Sequence, residues 1–303
     1  MYDIAPYHDD LFESTIELLR GLHGSNDEAN KVNFQWKYHD NPYADRPLGI
    51  VALHKEEVVG FRGYMAQPWN RAMVLCAGDT IVHRDHRKSG LSIAMGQRAL
   101  EEFGSDYQVM VNFACNQMSL PGYRRLGFEP LVDKIYFHRD IARTEKFKEP
   151  KGIFKSTEPG VIPGKHLGDV LAPTRDKRFL KWRLQCNKRE YVFYNSERDY
   201  ILLAVGNNYE SIALDHTEND PGAFKRIMQY IMCDEQCYSV MIKTYSLNYR
   251  QYKDLEDLGF QVRMRKIPIP VLVRPTGDSW TVGGLDIRQK ENWLLRSICS
   301  DNL

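Results

Sequence analysis

One stretch of the sequence constrains the fold more than any other: a strand pattern that runs into a basic loop and then directly into a helix. It has the sequence G-D-T-I-V-H-R-D-H-R-K-S-G-L-S-I-A-M and spans residues 78–95. The N–H groups at the start of such a helix point outward with a partial positive charge, so the turn can bind a pyrophosphate. Gly90 would let the backbone approach that anion closely, and Arg87 and Lys88 would add positive charge. A solvated basic loop before an ordinary helix is the alternative interpretation.

The pattern around this stretch predicts an α/β unit in the first half of the chain. Apolar residues at helical spacing predict helices over residues 9–23, 31–40, 90–103 and 117–126. Runs of strand-forming residues predict strands over residues 49–54, 58–65, 73–82, 108–114 and 134–138. The first two of these strands form a hairpin around residues 55–57.

These residues resemble a known family. R-K-S-G-L-S, residues 87–92, resembles the Q/R-x-x-G-x-G/A signature of GNAT (GCN5-related) N-acetyltransferases, at the place in the order of elements where that family has it. The resemblance implies that the loop binds the pyrophosphate of coenzyme A and that the preceding strand splays from its neighbour to receive the pantetheine arm. Ser92 stands where the signature has Gly or Ala, and Arg84 where proline is common.

The resemblance also implies a set of residues that bind acetyl-CoA, with main-chain amides near residues 81–83 holding the thioester and polarising its carbonyl. The cofactor-binding residues expected in this way are Ile81, Val82, His83, Arg87, Lys88, Ser89, Gly90, Leu91, Ser92 and Asn116. For Asn116, a cap at the end of a strand is the alternative role.

A second signature supplies the candidate acid. N-Q-M-S-L-P-G-Y-R-R-L-G-F, residues 116–128, resembles the family's segment in which a tyrosine lies shortly before Gly-Phe. By that resemblance Tyr123 would protonate the coenzyme A thiolate as it leaves, which suits a phenol with an ordinary pKa near 10. The alternative is a helix aromatic that packs under the sheet.

The candidate base is Asp79, which lies near where the family often keeps a carboxylate. It would take the amine proton directly or through water, and a turn or strand-end aspartate is the alternative. His83 and His86 belong to a residue type that titrates near neutrality, but we expect both to be loop residues. We expect Asp85 to be solvated.

The second half repeats the pattern without the basic loop. F-L-K-W-R at 179–183 resembles F-Q-W-K-Y at 34–38, and L-E-D-L-G-F at 255–260 resembles Y-R-R-L-G-F at 123–128, which predicts a duplicated unit. The stretch D-H-T-E-N-D-P-G-A-F, residues 215–224, is acidic and would repel a pyrophosphate.

We therefore expect an α/β (α+β) fold of two tandem GNAT-like domains, each with a mixed, mostly antiparallel sheet flanked by helices. The predicted division is an acetyl-CoA-binding catalytic domain over residues 1–140, a linker rich in proline and glycine over 141–175, and a degenerate GNAT-like domain over 176–303. The third segment would shape the acceptor site. Its tail from Trp280 resembles neither half.

Composition excludes several other classes. A net charge of +1 gives no global attraction to nucleic acid or to anionic membranes. No apolar window approaches the roughly 18 residues of a membrane span. The sequence begins without a signal-peptide pattern and its six cysteines are irregularly spaced, which favours free thiols and a cytoplasmic location. Neither cysteine nor histidine spacing indicates a metal site.

The resemblance implies an N-acetyltransferase that moves an acetyl group from acetyl-CoA to a primary amine by direct attack in a ternary complex. F-Q-W-K-Y-H-D-N-P, and V-V-G-F-R-G-Y-M followed by G-D-T-I-V-H, are similar to tandem GNAT proteins of bacterial polysaccharide and amino-sugar pathways. The implied small-molecule acceptor is an amino sugar or a sugar nucleotide, with an antibiotic, a polyamine or a peptide amine as alternatives. A catalytically silent acyl-CoA-binding module with a protein partner is the alternative from another class.

Overall fold

Two seven-stranded sheets, mostly antiparallel, organise the chain. The computed structural model describes residues 1–142, 145, 147–163, 168–186, 189–206, 210–245, 247–263 and 270–300. Within these residues the helices are α1 (Phe12–His23), α2 (Asp27–Phe34), α3 (Leu91–Phe103), α4 (Leu120–Arg125), α5 (Lys177–Arg183), α6 (Ala223–Cys233) and α7 (Tyr249–Asp257). None of these described helices is long and apolar enough to cross a bilayer.

The strands of the first half of the chain are β1 (Asp3–Pro6), β2 (Leu48–His54), β3 (Glu57–Trp69), β4 (Ala72–Val82), β5 (Val109–Asn112), β6 (Glu129–Asp133) and β7 (Ile135–Asp140). Those that follow are β8 (Phe154–Ser156), β9 (Glu190–Asn195), β10 (Tyr200–Val205), β11 (Glu210–His216), β12 (Ser239–Thr244), β13 (Gln261–Arg263), β14 (Pro270–Pro275), β15 (Thr281–Val282) and β16 (Leu285–Asp286). The last two form a separate two-stranded sheet.

The two large sheets have the same strand plan. The first has the order β1-β2-β3-β4-β5-β14-β6, and the second, taken from its β8 edge, has the order β8-β9-β10-β11-β12-β7-β13. In each sheet the fourth and fifth strands pair in parallel, β4 with β5 and β11 with β12. The predicted pair of mixed, mostly antiparallel sheets flanked by helices is confirmed.

The sheets exchange one strand each. β7, predicted as the strand that closes the first half, forms but pairs with β12 and β13 of the second sheet. Its place between β5 and β6 is taken by β14, from the far end of the chain. The expected domain boundary at residue 140 thus follows a strand of the second sheet, while the division of roles between the halves stays a prediction.

The two segments that suggested the repeat meet between the halves. The Trp36 indole donates to the Trp182 carbonyl at 2.8 Å, and the Trp182 indole donates to the Trp36 carbonyl at 2.8 Å. Trp36 lies in a π-helical turn, Gln35–His39, that continues α2, so the helix predicted over 31–40 begins earlier, at Asp27. Asn26 starts it by accepting a hydrogen bond from the Ala29 amide.

The last part of the tail that resembles neither half, residues 293–300, is largely buried. Residues Trp293, Leu295, Ile298 and Cys299 belong to one apolar core with side chains from both halves. Arg183, fully buried, donates to the carbonyls of Ile298 and Ser300. The tail therefore helps to hold the two units together, since these carbonyls satisfy a cation that is costly to bury alone.

Candidate active site

A cleft opens where two parallel strands separate. β4 and β5 pair only from Val74–Cys76 to residues 109–111, and β4 then continues to Val82 while β5 ends at Asn112. The cleft has a volume of about 550 Å³. Its walls are Leu22, His23, Gly78, Asp79, Thr80, Val82, Arg87, Ser92, Asn112, Ala114, Asn116, Met118, Ser119 and Tyr123.

The loop at one end of the cleft leads into the 13-residue helix α3. Gly90, at its N-cap, has φ 84°, a left-handed conformation that favours glycine, and a Cβ there would meet nothing within 4 Å. The structure describes all of residues 83–95, and within them the N-cap residue provides no side-chain hydrogen bond to the first amides of α3. Its first amides therefore face an exposed basic loop and can bind an anion.

The basic side chains of this loop lie beside those amides. Arg87 is exposed, lines the cleft and donates from Nε to the Val82 carbonyl at 3.2 Å. Lys88 is exposed and has a positive φ of 67°, while the Ser89 hydroxyl donates to the His86 carbonyl at 2.5 Å. Leu91 is buried and anchors α3 to the core. Ser92 reaches the cleft.

The three residues expected to hold the thioester divide between the two edges of β4. The His83 amide donates to the Val59 carbonyl of β3 at 2.8 Å, and Ile81 is paired with Phe61 of the same strand. Because successive N–H groups of a strand point to opposite edges, the Val82 amide points toward the open edge and the cleft. Val82 is therefore the member of this group placed to bind a carbonyl.

Asp79 lies buried at the other end of the cleft, in a bulge of β4 opposite Gly63. Lys37 Nζ lies 3.2 Å from each of its carboxylate oxygens. Tyr38 donates its hydroxyl proton to Oδ2 at 3.0 Å, and His23 Nε2 lies 3.0 Å from Oδ1. Burial alone would raise the pKa of Asp79, but Lys37 and His23 outweigh it and hold that pKa well below its usual range.

Two glycines let Tyr38 come this close. A Cβ at Gly63 would lie 2.5 Å from the Tyr38 ring and hydroxyl, and one at Gly78 would lie 2.9 Å from the hydroxyl. The Tyr38 oxygen also accepts from the Asp79 amide at 3.1 Å, so it binds this residue twice. The bulge and its two glycines thus leave room for Tyr38, and Tyr38 fixes the Asp79 carboxylate.

Tyr123 lies on α4, buried in the wall of the cleft with its ring edge-on to Phe128 at 5.0 Å. The Arg62 guanidinium lies 4.7 Å from the centre of the Tyr123 ring. Burial raises the pKa of Tyr123, and the positive charge of Arg62 opposes that rise. The phenol is therefore protonated at neutral pH, with a cation at hand for the phenolate.

Arg62 is a buried cation, and one nitrogen of its guanidinium makes no hydrogen bond to any described residue. It is 2% exposed, donates to the Tyr64 hydroxyl at 2.7 Å and donates to the Ser92 carbonyl in the first turn of α3 at 3.2 Å. Within the described residues its Nη2 has no hydrogen-bond partner. A buried guanidinium of this kind favours negative charge in the adjacent cleft.

Asn116 lines the cleft and also caps the turn before α4. Its side-chain Oδ1 accepts from the main-chain amide of Ser119 at 2.9 Å, and its main-chain amide donates to the Ser119 hydroxyl at 3.0 Å. The histidines of the loop lie elsewhere: His86 is hydrogen-bonded to the Tyr2 hydroxyl at 3.0 Å, and His83 is exposed. Neither lines the cleft.

Three residues of the site lie outside the sequence prediction: His23, Lys37 and Arg62. Lys37 belongs to the F-Q-W-K-Y segment, which indicates the repeat and the resemblance to tandem GNAT proteins but no role for the lysine. His23 is the last residue of α1, directly before Gly24. Nothing in the neighbouring sequence indicates that its side chain lines a cleft. Within the described residues, no group of three or more His, Cys, Asp and Glu side chains could hold a metal.

Solved structures with similar folds include several acetyltransferases and acyltransferases. A GCN5-related N-acetyltransferase from Anabaena variabilis matches with a TM-score of 0.66 at 13% identity, over 91% of this chain and 73% of that one. A probable N-acyltransferase from Enterococcus faecalis matches with a TM-score of 0.68 at 11% identity, over 91% of this chain and 72% of that one. A tandem GNAT protein from the clavulanic acid biosynthesis pathway matches with a TM-score of 0.57 at 12% identity, over 92% of this chain and all of that one.

A fourth similar structure has a named substrate class. It is a GCN5-related glucosamine N-acetyltransferase region of a fungal multi-domain β-N-acetylglucosaminidase, with a TM-score of 0.53 at 10% identity, over 90% of this chain and 38% of that one. No protein-family model matches the sequence, and a search of curated proteins found no match. The likeness is thus one of fold.

Proposed function

We propose that this chain, which has the tandem GNAT fold, is an N-acetyltransferase that uses acetyl-CoA as its acyl donor. The observation that carries the proposal is the arrangement around one cleft: a helix N-terminus without a side-chain cap at one end, a buried phenol in the wall, and a carboxylate–histidine pair at the other end. These are the groups that acyl transfer to an amine needs, and they share one site.

The residues present fit coenzyme A. The first amides of α3, with Arg87 and Lys88, would hold the diphosphate, because they offer outward N–H groups and positive charge. The gap between β4 and β5 would receive the pantetheine arm. The Val82 amide would donate a hydrogen bond to the thioester carbonyl oxygen and stabilise the negative charge that develops on that oxygen. Bound there, acetyl-CoA supplies the activated acetyl group.

Tyr123 acts as the general acid. Its buried phenol keeps its proton at neutral pH and gives it to the leaving sulfur. Arg62, 4.7 Å from the ring centre, stabilises the phenolate that remains. Proton removal from the attacking amine takes place where Asp79 and His23 line the same cleft.

An amino sugar or a sugar nucleotide is our proposed acceptor. The first support is the resemblance of the N-terminal segments to tandem proteins of amino-sugar pathways, and the second is the fold shared with a glucosamine N-acetyltransferase region. The acceptor would enter where Leu22, His23 and Met118 line the cleft. Leu22 is 47% exposed and Met118 is 90% exposed, so both are free to contact a ligand. Use of acetyl-CoA also suits the cytoplasmic location expected from the sequence.

Calorimetric titration with acetyl-CoA tests the donor site. We expect the wild type to bind one equivalent and Gly90→Glu to lose binding, because a carboxylate would occupy the place of the diphosphate. Gly284→Glu is the matched control, since Gly284 has φ 85°, close to the 84° of Gly90, and also has open space around it. Retained binding in Gly90→Glu, or loss in both variants, would contradict the assigned loop.

Thiol release tests the reaction. Wild-type protein with acetyl-CoA and a panel of glucosamine, sugar-nucleotide amines, polyamines and peptide amines should release free thiol only when a suitable amine is present. Binding of acetyl-CoA with no thiol release from any amine would instead support a silent acyl-CoA-binding module.

A further inference from the structure

His23 occupies the position in the cleft that a proton acceptor requires. It is the last residue of α1, its side chain is 21% exposed, and it lines the cleft together with Tyr123 and Thr80. Its Nε2 is directed at Oδ1 of the buried Asp79, 3.0 Å away. A histidine that donates from Nε2 carries its lone pair on Nδ1. Within the described residues no hydrogen bond involves that Nδ1.

Asp79 is poorly suited to take the proton itself. Its Oδ1 already faces His23 and Lys37, and its Oδ2 faces Tyr38 and Lys37, all within 3.2 Å. The carboxylate side chain is only 4% exposed. The cation and the two hydrogen-bond donors stabilise its charged form, so its affinity for a proton is low.

This arrangement resembles the general pattern in which a buried carboxylate orients an imidazole that does the proton transfer. The carboxylate fixes the tautomer and the ring orientation, and it stabilises the imidazolium once the proton has arrived. Lys37 and Tyr38 in turn fix the carboxylate. The contacts thus run from Lys37 and Tyr38 in the π-helical turn, to Asp79 on β4, and then to His23 in the cleft.

We propose that His23 takes the proton of the acceptor amine and that Asp79 is a positioning residue for it. The inference rests on the proposed acetyl transfer. The amine nitrogen uses its lone pair to form the bond to the acetyl carbon, and the bond from that carbon to sulfur breaks with its electron pair on sulfur. Tyr123 supplies one proton to the sulfur, and His23 receives one from the nitrogen. Exchange with solvent then restores both side chains.

Several charged and titratable groups face His23. Asp79 approaches from β4, Lys37 and Tyr38 from the π-helical turn, and Arg87 and Tyr123 lie around the same cleft. On its own helix, Arg20 is directed to Asp27, at 2.5 Å from Oδ2, and lies away from the cleft. Of these groups, Asp79 is the one in hydrogen-bond contact with His23.

The test compares pH profiles of kcat/KM for the wild type, His23→Gln and His8→Gln. Glutamine can keep a hydrogen bond to Asp79 but cannot accept the proton, and His8 is an exposed histidine outside the cleft. We expect His23→Gln to lower kcat by about 10²–10⁴-fold, the usual contribution of a general base, with acetyl-CoA affinity unchanged. The part of the acid-side fall in rate that exceeds protonation of the free amine should disappear in this variant. His8→Gln should retain both the rate and the profile.

Chemical rescue separates a catalytic role from a structural one. In His23→Ala, added imidazole should restore part of the lost rate, and it should restore none in Tyr123→Phe, where the base is intact. A wild-type rate and an unchanged acid limb in His23→Gln would overturn the role of His23 alone. Absence of acetyl transfer by the wild-type protein to every amine would overturn the proposed function, and this inference with it.

Discussion

The same parallel strand pair occurs twice in this molecule, and only one copy leads into a basic, open site. In the first sheet β4 and β5 separate into a cleft that ends at the exposed loop of Arg87, Lys88 and Gly90. In the second sheet β11 and β12 pair in the same way, but the loop that follows carries Glu218 and Asp220. Strand pairing therefore provides the place for a site, and the loop decides whether an anion can bind there.

Beside the second strand pair, charged side chains of the protein pair with one another. Asp215, fully buried, contacts Arg175 and accepts from the Tyr200 hydroxyl at 2.6 Å. Arg296, from the C-terminal tail, donates to Glu218 at 2.7 Å. A smaller cavity of about 370 Å³ remains, and its wall includes Glu218 and Asp220. Carboxylates thus lie where the first cleft offers amides and cations.

The helices that follow differ in the same sense. Before α6 the Asp220 carboxylate accepts a hydrogen bond at 2.9 Å from the amide of Gly222, the N-cap residue, whereas within residues 83–95 no side chain accepts from the amide of Gly90, the N-cap residue of α3. The repeat also places Leu255, fully buried, at the position that corresponds to Tyr123. Within the described residues, the second strand pair therefore has neither the basic loop nor the phenol of the first, which supports the proposed role of the second unit in shaping the acceptor site.

The largest expected effect is on catalysis and comes from Tyr123. Tyr123→Phe should lower kcat by about 10²–10⁴-fold, equivalent to roughly 3–5 kcal/mol, because the proton for the leaving sulfur is lost. Acetyl-CoA affinity, measured by calorimetry, should be unchanged. Tyr252→Phe on α7, whose ring packs edge-on against Phe137 at 5.2 Å, is the control in the second unit. Equal losses in both variants would break the asserted difference between the halves.

Asp215→Asn should give the largest loss of stability. The change leaves Arg175, 7% exposed, without the carboxylate that it faces, and breaking a buried pair in this way costs about 3–5 kcal/mol. Urea denaturation measures the change in unfolding free energy. Asp169→Asn, at an aspartate that is fully exposed and pairs with Arg71 at 3.2 Å, should change it little. A stability equal to that of the wild type would show that the charge cluster does not hold the second strand pair closed.

Low pH should destabilise the fold through Glu218, which pairs with Arg296 beside the second strand pair. Burial alone would raise the pKa of Glu218, but His216 and Arg296 outweigh it and hold that pKa well below the ordinary value of 4.5. Because the folded pKa is the lower one, Glu218 stabilises the fold above about pH 4.5, and this stabilisation is lost as the pH falls toward the folded pKa. Glu218→Gln should thus be less stable than the wild type at pH 7, with the difference shrinking below about pH 4.5. A difference that stays constant between pH 7 and pH 3 would contradict this.

The predictable part of the molecule is its local part. The strand, loop and helix of residues 78–95 are contiguous, and the pattern predicts a helix over residues 90–103 that differs from α3 by one residue at its start. The exchange of β7 and β14 depends on pairing between residues far apart in the chain, such as Val273 with Val111, and prolines at both ends of β14 hide it further. In the site, Lys37 and His23 reach Asp79 from 42 and 56 residues away. Sequence named the carboxylate, but only the fold supplies the groups that make it a poor base.

The smallest effect sharpens the comparison of the two helix N-termini. Asp220→Ala removes the carboxylate that accepts a hydrogen bond from the Gly222 amide and pairs with the exposed Arg226 at 2.6 Å, so it should lower the free energy of unfolding only slightly. It also frees the start of α6 without adding a cation. We therefore expect calorimetry to show the same single acetyl-CoA site as in the wild type, because Glu218 still repels a diphosphate. A second bound equivalent would show that one carboxylate, and not the wider chemistry of the loop, is what separates the two halves.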